Sequence, residues 1–226
     1  MCTAFDAGRI IVAKCVLDHL VVAAATLDEG AAYLEEKLGV TVPAGGAHPL
    51  MGTRNRLMQL GGDAFLEIIA IDPDATPPER PRWYALDDPA MQARIAKRPA
   101  LITWVVRTDD IAGTARAAII SPGPVIEGRR GDLVWQITVA DDGSMPENGL
   151  IPTLIQWPDP LNAHGPAPNM AEMGCTLGKL TVSHPEPDRM RAALKSMGAE
   201  HLADVIKGTP YLEATIDCPK GIVTLD

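Results

Sequence analysis

The chain has 226 residues, 46% hydrophobic and 22% charged, which suffices for a packed core and excludes wholesale disorder. With 20 Lys and Arg against 29 Asp and Glu, a net charge of −9 and only 4% aromatics, neither nucleic acid nor an anionic membrane is an expected partner. The 4 cysteines are scattered with no CxxC pair, which argues against a disulfide-stapled secreted domain and for a reducing, cytoplasmic setting.

Residues 1–14 read as an N-terminal extension. Lys14, Asp18 and His19 interrupt the first apolar run, and the uncharged stretch LVVAAATL that follows is far too short to span a bilayer. The run CVLDHLVVA (15–23) predicts a strand with a polar pair, Asp18 and His19, at its centre. Thr26 with Glu29 three residues on forms a capping box that opens a helix through AAYLEEKL, and Gly39 supplies its left-handed stop. A Gly-rich loop, VPAGGAHPLMGT, precedes the strands RNRLMQL and AFLEIIAI, so residues 15–75 read β-α-β-β-β.

Residues 76–100 form a Pro-rich connector with a short helix around DDPAMQARIAK. A second module spans 101–160: the strand LITWVVRT, a helix DDIAGTARAAI capped by Thr108 or Asp109, then the strands PVIEG, DLVWQITV and PTLIQW. After a Pro/Gly-rich linker (161–176), residues 177–226 read as a third, partial module. Leu17, Leu20, Val22, Asp28, Ala32 and Leu34 fall opposite Leu177, Leu180, Val182, Asp188, Ala192 and Leu194 without a gap, as in an internal repeat.

Two positions break the apolar alternation. On Cys15, Leu17, His19 and Val21 the polar residue is His19; on Phe65, Glu67, Ile69 and Ile71 it is Glu67. A buried carboxylate needs a partner, which either the imidazole or a divalent cation held between the two groups supplies. A plain His–Glu hydrogen bond, or Glu67 facing solvent, explains the same pattern. His48 sits in a loop where it either stabilises a turn or moves a proton near neutral pH. Asn55 and Gln59 share one strand face as candidate substrate contacts, and Arg54 is placed to meet a carboxylate. The sequence contains no GxSxG elbow, GxxxxGK[ST] loop or HExxH.

The segments LDHLVVAAATLDEGAAYLEEKLGV and GGAHPLMGTRNRLMQLGGDAFLEIIAID resemble the opening module of the vicinal oxygen chelate superfamily, which includes glyoxalases, bleomycin-resistance proteins and extradiol dioxygenases. The stretch His48-Pro49-Leu50-Met51-Gly52-Thr53-Arg54-Asn55-Arg56-Leu57 matches the HPxMGTxNxL pattern of its glyoxalase-like-domain branch. RPRWYALDDP, GDLVWQITVADDG and GLIPTLIQW are similar to that branch as well. The resemblance implies an α+β fold of repeated βαβββ modules forming curved, cup-shaped mixed sheets. It implies His19 and Glu67 as metal ligands with Gln156 as a third, binding Zn, Mn, Ni or Fe, while Thr103 replaces a fourth. Glu67 and His48 are then the catalytic residues, with Arg54, Asn55, Gln59 and Trp157 against a small-molecule substrate. Lyase, isomerase and dioxygenase chemistry stay open, as does metal-free sequestration of a small molecule. Pairing of modules in relatives, with an odd module left over here, points to a homodimer.

Overall fold

The computed structural model describes residues 14–160 and 163–226. Apart from Lys14, the N-terminal extension lies outside the described residues, together with Cys2 and the first two residues of the 161–176 linker.

The first module runs β1 (Val16–Ala23), α1 (Leu27–Leu38), β2 (Ala47–His48), β3 (Thr53–Gln59) and β4 (Phe65–Ile71). Local chemistry sets the bounds of α1. The Thr26 hydroxyl accepts from the Glu29 amide at 3.1 Å, and Gly39 ends the helix at φ 76. The connector contributes a single turn at Trp83–Ala85 and α2 (Pro89–Ile95). The second module runs β5 (Ala100–Arg107), α3 (Ile111–Ala117), β6 (Val125–Arg130), β7 (Leu133–Thr138) and β8 (Thr153–Gln156). The cap of α3 is neither Thr108 nor Asp109 but Asp110, whose carboxylate accepts from the Gly113 amide at 2.8 Å. Two acceptor side chains beside it had masked that choice.

These strands form one eight-stranded sheet ordered β2-β3-β4-β1-β5-β8-β7-β6. Each module closes by pairing its first and last strands in parallel, β1 with β4 and β5 with β8, and the antiparallel pair β1–β5 joins the modules. The sheet curls into a cup until its two edges meet. Arg130, the last residue of edge strand β6, donates from Nη1 to Asn55 Oδ1 on β3 at 3.1 Å. Gly46 makes that approach sterically feasible, since a Cβ there would lie 2.6 Å from Arg130 Cδ.

Residues 176–226 carry all five elements, β9 (Thr176–His184), α4 (Pro187–Ser196), β10 (Asp204–Lys207), β11 (Tyr211–Cys218) and β12 (Gly221–Leu225). Their wiring differs from the first module. The order is β10-β9-β11-β12, so the helix links β9 to its immediate parallel neighbour instead of to the far edge. The likeness between residues 17–34 and 177–194 therefore stops at the strand and helix. Within those bounds it is physical: Leu20, Val22 and Leu34 and their counterparts Leu180, Val182 and Leu194 are all buried in one core between the two sheets. A second apolar cluster, including Val21, Ile69, Val105, Ile137 and Ile155, lines the inside of the cup. Cys15, Cys175 and Cys218 are buried free thiols, and no helix among the described residues is long and apolar enough to cross a membrane.

Helix α1 packs tightly on the sheet at Gly30, where a Cβ would lie 2.4 Å from Ile68 Cγ2 and 3.0 Å from Ala24 Cβ. Ile68 is fully buried and β-branched, so it has little freedom to give way. Gly30→Val should lower the unfolding free energy in urea by about 1–3 kcal/mol.

Candidate functional site

The strict alternation read from residues 15–23 does not hold. Leu17 stands opposite Val106 and His19 opposite Val105, so two steps on β1 match one step on β5 and Asp18 is the extra residue of a β-bulge. Cys15 and Leu17 consequently lie with Leu20 and Val22 in the inter-sheet core, while Val21 faces the cup. The bulge brings the side chains of two consecutive residues, Asp18 and His19, together.

Asp18 is 0% exposed, and an isolated carboxylate at such a depth would be prohibitively costly. Three donors surround it: His19 Nδ1 at 2.7 Å from Oδ1, and Trp157 Nε1 at 2.9 Å and Arg107 Nη1 at 3.4 Å from Oδ2. A carboxylate only accepts, so the proton of this bond sits on His19 Nδ1, which orients the ring. The same ring stacks on Phe65, with centroids 4.4 Å apart and planes 19° from parallel. Its Nε2 lies 3.5 Å from Glu67 Oε2 on β4.

The second oxygen of Glu67 accepts from Asn55 Nδ2 at 2.6 Å. Asn55 is fully used: Oδ1 accepts from the Gly46 amide at 3.0 Å and from Arg130, while Nδ2 also lies 3.2 Å from His48 Nε2. A flipped amide would set NH2 against two donors, so the network determines its orientation. His48 Nε2 then accepts, and its Nδ1 donates to Thr53 Oγ1 at 3.1 Å. Burial lowers the His48 pKa to about 4; Arg130 and His19 act in the same direction and Glu67 opposes them.

These groups open into a cavity whose walls include Phe65, Trp83, Tyr84, Trp135 and Trp157. Trp83 and Tyr84 arrive on a strained turn in which Tyr84 (φ 59) and Ala85 (φ 54) are both left-handed. Such a residue costs on the order of 1–3 kcal/mol, offset here by bonds from the Ala85 amide to Gly143 O (2.8 Å) and from Arg82 Nη1 to Asp87 (2.6 Å). The Trp83 indole N–H is buried and has no partner among the described residues. Burial pushes the Tyr84 hydroxyl well above its ordinary value, with the Glu67 and Asp18 charges adding to the shift, so it remains a donor.

The structure thus brings together His19, Glu67, Asn55, His48 and Trp157. Gln156 is not among them: Nε2 donates to Asp109 O and Oε1 accepts from the Ile111 amide, both at 2.9 Å, so this side chain holds the start of α3. Arg54 points away, with Nη1 4.0 Å from Asp72, and Gln59 Nε2 reaches Gly62 O at 3.4 Å. Thr103 donates to Gly149 O at 3.2 Å. His164 pairs with Asp63, and His184 of the third module lies 3.7 Å from Glu147. Among the described residues, no group of three or more His, Cys, Asp or Glu is placed to hold a metal ion. His19 and Glu67 supply two donors where a catalytic zinc site uses three, so the residues present do not fit a resident divalent cation. Asp18, Arg107, Arg130, Trp83, Tyr84 and Trp135 were not among the sequence candidates. The polar doublet Asp18-His19 was their one visible signal.

A model of the glyoxalase-like domain matches residues 17–198. The chain belongs to the glyoxalase-like domain family. Its mixed α+β architecture, a curved, cup-like sheet with helices, is consistent with that membership. No curated protein matches the sequence. Among solved structures, a hypothetical protein from Staphylococcus aureus shares the fold at TM-score 0.54 and 12% identity, over 92% of this chain and 83% of its own. A variant of Streptomyces coelicolor methylmalonyl-CoA epimerase overlays at TM-score 0.39 and 18% identity, over 63% of this chain and 94% of its own. A variant of 4-hydroxymandelate synthase from Streptomyces coelicolor overlays at 0.45 and 15%, over 93% and 61%.

Two outcomes test the site's electrostatics. Asp18→Ala takes the buried carboxylate from Arg107, leaving it the exposed Asp63, and should cost about 3–5 kcal/mol in urea unfolding. The His48 ring should keep its neutral NMR shifts from pH 7 to 5. Because its folded pKa of about 4 lies below the ordinary 6.5, the unfolded chain binds the extra proton between those values. The His48 share of stability is accordingly level above pH 6.5 and lost as pH falls toward 4.

Proposed function

We propose that this glyoxalase-like protein is a small-molecule enzyme that moves a proton at a carbon next to a carbonyl, as a lyase or isomerase does. One observation carries the reading: Glu67 has one oxygen fixed by Asn55 and the other turned to His19 Nε2, inside an aromatic cavity. A base fixed at one oxygen, with the other facing an imidazole nitrogen, is oriented before substrate arrives. In the step envisaged, the C–H bond breaks, Glu67 takes the proton, and the electron pair moves to the carbonyl oxygen. Donors for that oxygen are the unpartnered Trp83 N–H and the Tyr84 hydroxyl. His19, its Nδ1 proton committed to Asp18, can receive the proton from Glu67 at Nε2 or return it. His48, held neutral, fixes Asn55 instead of titrating.

No step is routed through a divalent ion, because the donor set offers two side chains. Protein purified without a chelating tag should carry Zn, Mn, Ni and Fe only substoichiometrically; a full equivalent that disappears in His19→Ala would reinstate a metal-dependent dioxygenase or lyase.

The rival reading, sequestration without chemistry, draws on the same aromatic walls. Deuterium exchange at the methylene of phenylacetone in D2O, followed by proton NMR, separates the two. Catalysed exchange that Glu67→Gln lowers about 10²–10⁴-fold supports the enzyme. Binding without exchange supports the sequestering protein.

A further inference from the structure

Arg130 is the one Lys or Arg among the described residues lining the cavity, and it stands where the cup closes. It also lines an adjoining groove with Pro43, Gly46, Pro166 and Met170, so it occupies the junction between groove and cavity. Arg107, nearby, is met by Asp18 and Asp63. Arg130 is met by no carboxylate among the described residues; its single protein acceptor there is the neutral Asn55 Oδ1 at 3.1 Å.

Asn55 keeps it that way. The amide's oxygen faces Arg130 while its nitrogen faces Glu67, so the one carboxylate that would neutralise the guanidinium is held on the far side of a neutral group. A guanidinium has five N–H donors in a planar fork suited to a carboxylate, and the others here have no acceptor among the described residues. The cavity beyond is apolar at Phe65, Leu133, Trp135 and Ile137.

We infer that the ligand is an organic anion, an aromatic or branched carboxylate, whose carboxylate docks on Arg130 at the mouth while its apolar body reaches Glu67. This rests on the reading above only in placing the ligand in the same cavity. It names Arg130 as the residue that selects for charge, and it requires no turnover.

The probes are phenylacetate and its uncharged isostere phenylacetamide, titrated against tryptophan fluorescence and checked by calorimetry. The wild-type protein should bind the acid about tenfold more tightly than the amide. Arg130→Gln keeps an amide donor for Asn55, and it should erase the difference between the two probes. Arg130→Lys, which keeps the charge but not the fork, should retain part of the preference. Glu67→Gln should keep the preference for the acid, so a failed exchange experiment and a failed anion site give different results. Equal affinities in the wild type, no binding of either probe, or a preference that survives Arg130→Gln would overturn the assignment.

Discussion

The site depends on a buried negative charge that owes its position to an irregular strand. Asp18 is an extra residue in β1, and its carboxylate gathers donors from three places: the next residue, His19; the end of β5, Arg107; and the residue after β8, Trp157. Coulombic attraction in a low-dielectric interior makes those bonds strong, and the cost of leaving any member unpaired makes them hard to break. Because Arg107 and Trp157 belong to the second module, one carboxylate ties the two halves of the cup together and sets the angle of the imidazole between them.

Asn55 performs the complementary task. A neutral amide with both ends engaged separates an acidic side, Glu67, from a basic one, Arg130, and holds His48 as a neutral acceptor. Neutralisation by direct contact would have cancelled both charges. Separation by one dipole keeps a carboxylate and a guanidinium in the same small space with different tasks. The closure of the sheet and the polarity of its interior are thus linked, because the bond that draws β6 to β3 is also the one that polarises the mouth.

Much of the architecture was legible from residue order. Thr26, Glu29 and Gly39 marked α1, and the period-2 run of Phe65, Glu67, Ile69 and Ile71 placed a carboxylate on the inner face of β4. The separation between His19 and Glu67 did not hide their meeting, since parallel pairing of first and last strands follows from the module. What escaped has identifiable causes. Alternation assumes one residue per pleat, so a bulge at Asp18 reversed the faces of Cys15 and Leu17. Gln156 matched Glu67 through the family resemblance, but two backbone groups at the start of α3 claim its amide. Arg130 and Tyr84 owe their roles to the closure of the cup and to a left-handed turn, neither of which has a local periodicity. The third segment matched the first through its strand and helix, and sequence pattern does not distinguish whether a helix returns its chain to the neighbouring strand or to a distant edge.

The bulge also bears on how such a site can be inherited. Loss of a single codon, the one for Asp18, would remove the irregularity between Leu17 and His19 and leave every other inward side chain facing inward. The sheet would lose nothing in regularity, but Arg107 and the Trp157 indole would keep only what remains around them in a dry interior. Lineages that discard the insertion therefore face a penalty unless those two donors change with it, so the trio should be gained or lost as a set.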